Sequence, residues 1–144
     1  MKNKLFLYIL LIFSGIILYS CSSSKGGIEP QTGDYTFTIY DNSSNKIMDG
    51  MLTIDYAASG VVSGTYKTTT VYITTSNVVT MLQGGSFIGT YTGSTGQISF
   101  NMNPKVADNN VYVGAKVTGS SIDGTWSHTT MTGEKSAGRF NAVQ

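Results

Sequence analysis

The stretch Val111-Tyr112-Val113-Gly114-Ala115-Lys116-Val117-Thr118-Gly119-Ser120-Ser121-Ile122-Asp123-Gly124-Thr125-Trp126 decides the fold. Val111, Val113, Ala115 and Val117 recur at every second position, as do Ile122, Gly124 and Trp126, and Gly119-Ser120-Ser121 between the two runs is a tight-turn sequence. Successive side chains of a strand point to opposite faces, so each run is a strand with one apolar face and the whole is an antiparallel hairpin. The same signature spreads outward in both directions. Tyr35, Phe37 and Ile39 alternate with threonines; Leu52, Ile54 and Tyr56 follow, then Val62, Gly64 and Tyr66. Phe87, Gly89 and Tyr91, then Ile98, Phe100 and Met102, precede the opening hairpin, and Gly138, Phe140 and Ala142 come after it.

Those runs amount to eight strands. Residues 68–85 are ambiguous, because Val71-Tyr72-Ile73 and Val78-Val79-Thr80-Met81-Leu82 form either a further hairpin around Ser76-Asn77 or extensions of their neighbours, giving a count of eight to ten. No segment reads as a helix. Short loops between consecutive strands make antiparallel neighbours, and an open meander leaves two unpaired edges that closure removes. The expectation is an all-β fold, a single antiparallel meander closed into an up-and-down β-barrel.

A weak internal repeat runs through it. Ser63-Gly64-Thr65-Tyr66, Ile88-Gly89-Thr90-Tyr91 and Asp123-Gly124-Thr125-Trp126 share the form x-Gly-Thr-aromatic, with Ala137-Gly138-Arg139-Phe140 as a degenerate copy. A strand glycine relieves crowding where a small barrel coils, and a large ring can cover the gap. Strands of this kind resemble those of calycin-like barrels, the lipocalin, fatty-acid-binding and avidin groups. That resemblance is one of architecture over residues 33–144; Trp126 is the single tryptophan, where avidin pockets use several.

The composition bounds the function classes. A chain of 144 residues is one domain. Beyond residue 20, six lysines and Arg139 face eight acidic residues. So balanced a charge provides no field for phosphate backbones, and nucleic acid is excluded as a general partner. Leucine is scarce there, with Leu52 and Leu82 alone, while Thr, Val and Tyr are plentiful.

The first 20 residues have the layout of an export signal: Lys2 and Lys4, then an apolar run over residues 5–18. A run of about 14 falls short of the roughly 20 residues of a membrane-spanning helix. Leu18-Tyr19-Ser20-Cys21 directly follows, and Cys21 is the single cysteine of the chain. This resembles the lipobox of bacterial lipoproteins. The resemblance implies cleavage before Cys21 and acylation of that residue, which would tie the protein to a membrane without a spanning segment. No aspartate or acidic tract follows Cys21. In the lipoproteins it resembles, that implies the cell envelope, at the outer membrane facing the periplasm. Residues 21–32, rich in Ser and Gly with Pro30, read as a flexible tether, and residues 33–144 as the barrel domain.

Catalytic chemistry finds little purchase. His128 is the single histidine and reads as a residue at the solvent edge of its strand. With no cysteine to spare and no Gly-x-Ser-x-Gly elbow, neither a Cys-His pair, a zinc site nor a hydrolase elbow is assembled. The carboxylates fall in turns and at strand ends, and Asp41-Asn42-Ser43-Ser44-Asn45 and Asp108-Asn109-Asn110 read as turns rather than calcium loops. No metal and no cofactor is implied. The best lead is a set of aromatics on the apolar faces, Tyr35, Tyr56, Tyr66, Tyr91 and Trp126, which either pack as a filled core or line a pocket for a small apolar ligand. Two non-enzymatic functions follow. One is an interaction module for an envelope protein, with Tyr72, Val79 and Leu82 as a candidate surface patch. The bacterial lysozyme inhibitors are similar in size, anchor and β content. The other is a carrier with its ligand inside the barrel.

Overall fold

The computed structural model describes residues 28–144, so the export signal, Cys21 and residues 21–27 lie outside the described residues. Eight strands follow one another: β1 (Gly33–Asp41), β2 (Lys46–Ala58), β3 (Val61–Val71), β4 (Gly84–Thr92), β5 (Gln97–Asn101), β6 (Asn110–Thr118), β7 (Ser121–Thr130) and β8 (Gly133–Val143). Each pairs antiparallel with the next, and β8 pairs back onto β1, closing an up-and-down barrel. An eight-stranded barrel is just wide enough inside for side chains to fill it. Here Phe37, Phe87, Phe100 and Phe140 meet ring to ring, with centroids 5.0 Å apart for Phe87–Phe100 and 5.8 Å for Phe100–Phe140.

The register explains the glycine repeat. Six inward aromatics stand directly opposite a glycine of the adjacent strand: Phe37 and Gly50, Phe87 and Gly64, Tyr66 and Gly85, Phe100 and Gly89, Phe140 and Gly124, Trp126 and Gly138. A Cβ on Gly64 would meet the Phe87 ring at 2.8 Å, and one on Gly138 the Trp126 indole nitrogen at 2.9 Å. At Gly50, Gly64, Gly85 and Gly138 the opposite ring lies in the space the missing side chain leaves, while at Gly89 and Gly124 an added Cβ would meet the main chain of an adjacent strand, so the glycines let rings and strands approach closely. Where a ring covers a glycine it comes from the neighbouring strand, not from the residue two places along.

Residues 68–85 correct the expectation. β3 stops at Val71, the count of strands is eight, and Asn77–Met81 forms a short helix, α1, where further strand was the reading. The β-branched pair Val78-Val79 favours strand, but burial decides otherwise. Val78 and Leu82, four apart and so on one helical face, are both fully buried over the barrel end, with Ile73, Val79 and Met81 packed beside them. The segment is caught by a bulge. Between Ile39 and Tyr40 the register slips past Ile47, whose freed carbonyl accepts from the amides of Tyr72 and Ile73.

Candidate functional site

The two ends of the barrel are built differently. At one end the turns are tight, at residues 59–60, 93–96 and 119–120. Residues 28–32 lie across this end as a strap, with the Ile28 amide donating to the Gly93 carbonyl at 2.7 Å, Gln144 Nε2 donating to the Thr32 carbonyl and Pro30 buried. The packed unit therefore reaches back to Ile28, five residues before the start of β1. At the other end two connections are longer, at residues 72–83 and 102–109, beside short turns at 42–45 and 131–132, and this loop end holds the buried His128 and Ser136.

The five aromatics singled out from the sequence do not converge on a pocket. Tyr35 is buried and its hydroxyl donates to the Gln31 carbonyl in the strap at 2.9 Å. Burial raises its pKa, a rise that hydrogen bond partly offsets. Trp126 is buried and its indole N–H donates to the Tyr40 carbonyl at 2.8 Å, as a buried indole requires. Tyr91 is buried near the strap end, its amide bonded to the Gly60 carbonyl. Tyr66 is buried with its hydroxyl beside Gly85, and burial pushes its pKa up to about 12. Tyr56 overturns the reading of its strand: it is 49% exposed. A bulge between Ile54 and Tyr56 leaves Asp55 unpaired, so the alternation slips by one; Tyr56 stands opposite Ser63 on the outer face and Ala57 takes the inward place.

His128 also departs from expectation. It is not at the solvent edge but 4% exposed, on the same inward face as Trp126. Its Nε2 lies 2.6 Å from Asn109 Oδ1, which makes Nε2 the donor. That bond anchors the β5–β6 loop from inside. The loop carries its own asparagine network: Asn103 Nδ2 donates to the Asn109 carbonyl at 2.8 Å, the Asn103 amide to Asn101 Oδ1 at 2.9 Å, and Asn101 Nδ2 to Asn110 Oδ1 at 2.7 Å. His128 Nδ1 and Ser136 Oγ are buried without a partner among the described residues, and the two residues face each other across the β7–β8 ladder. Burial lowers the His128 pKa, and the Lys135 ammonium lowers it further. Alternation puts His128 on the inward face, but the asparagine that covers it lies nineteen positions away in sequence, which no local pattern signals.

Against the stapled loop lies an open groove of about 220 Å³, lined on one side by Tyr66, Gly84, Gly85 and Ser86 and on the other by Met102, Asn103, Pro104 and Lys105. The patch Tyr72, Val79 and Leu82 divides. Leu82 is fully buried and Val79 partly so, which corrects their assignment to a surface, while Tyr72 is exposed. Tyr72 is tied down: its hydroxyl donates to Asp49 Oδ2 at 2.7 Å, beside Lys46 Nζ at 3.1 Å, while Thr38 donates to Asp49 Oδ1 at 2.7 Å. Partial burial pushes the Asp49 carboxyl up, but these three donors together hold it below its ordinary value. The freer apolar groups of this end are Met131, 81% exposed, and Val106 in the β5–β6 loop.

Among the described residues, no group of three or more His, Cys, Asp or Glu side chains gathers into a metal-binding set. The Asp41 carboxylate is spent on its own turn, accepting from the Ser43 and Asn45 amides at 2.8 Å each and from Asn45 Nδ2 at 2.9 Å. No known protein family matches the chain, and no curated protein matches it.

Proposed function

We propose that this protein is a lipid-anchored interaction module of the bacterial cell envelope, with a calycin-like barrel, held through Cys21 to the periplasmic face of the outer membrane and engaging an envelope protein through its loop end. The observation that carries this reading is the strap. Residues 28–32 pack across the end with tight turns, so the chain running back to Cys21 leaves from the end opposite the long connections. An anchor at Cys21 would hold the strap end toward the bilayer and present Val106, Met131 and the groove beside Tyr66 to partners.

A non-enzymatic role is supported by the state of the single histidine, which is buried and committed to an asparagine rather than to a nucleophile. The carrier reading is weaker on the same geometry. The interior phenylalanines touch one another, and the polar atoms of Tyr35 and Trp126 are used by the protein itself.

Two measurements test the proposal. Mass spectrometry of the matured protein is expected to find an acylated Cys21 at its amino terminus, and Cys21→Ala to leave the chain unacylated and uncut there; a normally matured mutant overturns the anchor. A photo-crosslinking residue at position 131 or 106, introduced in the full chain in its bacterial envelope, is expected to trap a partner of discrete mass that the same residue at position 120 does not. Equal trapping at both ends overturns the assignment of the loop end.

A further inference from the structure

The strap end carries its own exposed apolar groups. Ile28 is 41% exposed, Tyr56 49%, Val61 39% and Val143 45%. All four belong to this end: Ile28 to the strap, Tyr56 to the last residues of β2, Val61 to the start of β3 and Val143 to the end of β8. The bulge at Asp55 is what turns the Tyr56 ring out of the barrel, and the Tyr91 amide donates to the Gly60 carbonyl while the Ile28 amide donates to the carbonyl of Gly93, two residues on, which places the strap and the β2–β3 corner side by side. The charges here are one-sided. Among the described residues, Glu29, Asp34, Asp55 and Asp123 lie at or near this end, with Lys116, opposite Asp123 in register, as the cation among them.

From these residues we propose that the strap end rests on the bilayer that anchors the protein, with Ile28, Tyr56, Val61 and Val143 at the headgroup level and the acidic rim facing the ammonium groups of zwitterionic, ethanolamine-type lipids. The inference rests on the anchor reading above. Its occupant follows from the length of chain between the two points: the segment from Cys21 to Ile28 reaches at most about 25 Å when fully extended, so an acylated Cys21 holds this end within that distance of the headgroups. A surface kept so close is at high effective concentration, and contacts too weak to bind alone then suffice. Tyrosine suits the place, having an apolar ring and a polar tip, and is enriched where membrane meets water. The net negative rim makes the contact selective, because added anionic lipid repels it over a distance set by ionic strength.

The test uses the full chain, matured in a bacterium, with Ser120→Cys at the strap end or Met131→Cys at the loop end. With Cys21 acylated, the introduced thiol is the single site for a fluorophore. The protein is reconstituted into phosphatidylethanolamine–phosphatidylcholine vesicles containing a headgroup nitroxide quencher. Strong quenching at 120 with little at 131 is expected. Replacing part of the lipid with phosphatidylglycerol at low salt is expected to reduce it, and so is the double variant Tyr56→Ser, Val61→Ser, whose residues are exposed and leave the core intact. Equal quenching at both positions, or none at either, in protein that still floats with the vesicles overturns the docking and leaves the anchor standing. A chain that does not float and shows an unmodified Cys21 by mass overturns the anchor and the docking with it.

Discussion

The two ends of this barrel are closed by different physics. At the strap end closure belongs to the backbone: two- and four-residue turns, a strap whose main-chain groups take the hydrogen bonds, the Ile28 amide donating to Gly93 and the Gln31 and Thr32 carbonyls accepting from Tyr35 and Gln144, and Gly60, Gly96 and Gly119 in the left-handed region at φ of 79°, 70° and 59°. At the loop end closure belongs to side chains: Val78 and Leu82 cover the core, and His128 and the asparagines hold the β5–β6 loop. A backbone closure is compact and leaves little to vary. A side-chain closure leaves longer loops whose outer residues are free to differ, which is the arrangement expected of the end that recognises something.

The contrast breaks most visibly at Leu82. Leu82→Ala removes a fully buried side chain from the plug, and its carbonyl neighbourhood is already committed to the Thr68 hydroxyl, so the site cannot collapse freely. The expected loss is about 2–5 kcal/mol of stability, read from urea unfolding. A loss below about 1 kcal/mol would mean that α1 is an ornament of the loop end and not its closure. At the strap end the matching test is Gly119→Ala. An added Cβ there meets nothing within 4 Å, so the cost is that of the positive φ alone, about 1–2 kcal/mol. If Gly119→Ala is neutral, the turn has another conformation available and backbone geometry does not fix that end.

How far these ends could be read from the sequence follows the same division. The strands were legible because alternation is a local signal, and the short turns at Gly119 and Gly96 were legible because glycine marks them. The plug was not: Val78-Val79 has strand propensity, and what makes it helical is the need to cover a barrel end assembled from residues far apart in sequence. The one local hint was the i, i+4 spacing of Val78 and Leu82 behind Ser76. Tyr56 was misplaced because a bulge has no composition of its own, and one extra residue moves every later side chain to the other face. Five aromatics on apolar faces were a sound reading of burial for four of them, yet where the hydroxyls and the indole nitrogen go depends on Gln31 and Tyr40, partners no periodicity could name.

The loop end also carries the imidazole whose titration falls nearest neutral pH. His128 is held neutral in the folded chain, where burial and then Lys135 depress its pKa below the ordinary 6.5. The unfolded chain therefore takes up the proton first as pH falls. Stability contributed by the neutral imidazole is whole above about pH 6.5 and is lost as pH falls toward the folded pKa, with a slope no steeper than about 1.4 kcal/mol per pH unit for one proton. Urea midpoints measured from about pH 7.5 to 5.5, above the main carboxylate range, are expected to decline in the native chain and to stay flat in His128→Gln. Hydrogen exchange in that window sharpens the point: protection is expected to fall first in residues 102–109, the loop that His128 staples, and not in residues 28–32. Uniform loss along the chain would sever His128 from the loop.

The smallest effect on stability is expected at Met131, and that is its value. Its side chain is 81% exposed in the β7–β8 turn, where a substitution away from caps, charges and special backbone conformations changes stability by no more than about 0.5 kcal/mol. Met131→Ser is expected to leave the urea midpoint in place and to reduce crosslinking of the loop-end partner from position 106, because an unbranched, polarizable side chain held out in solvent costs apolar exposure that folding does not recover. Strap-end substitutions of equal exposure, such as Val143→Ser, are expected to leave that crosslinking unchanged. If Met131→Ser destabilises the fold, the turn is part of the plug. If both variants leave crosslinking unaltered, the partner reads the asparagine loop and the groove beside Tyr66 alone.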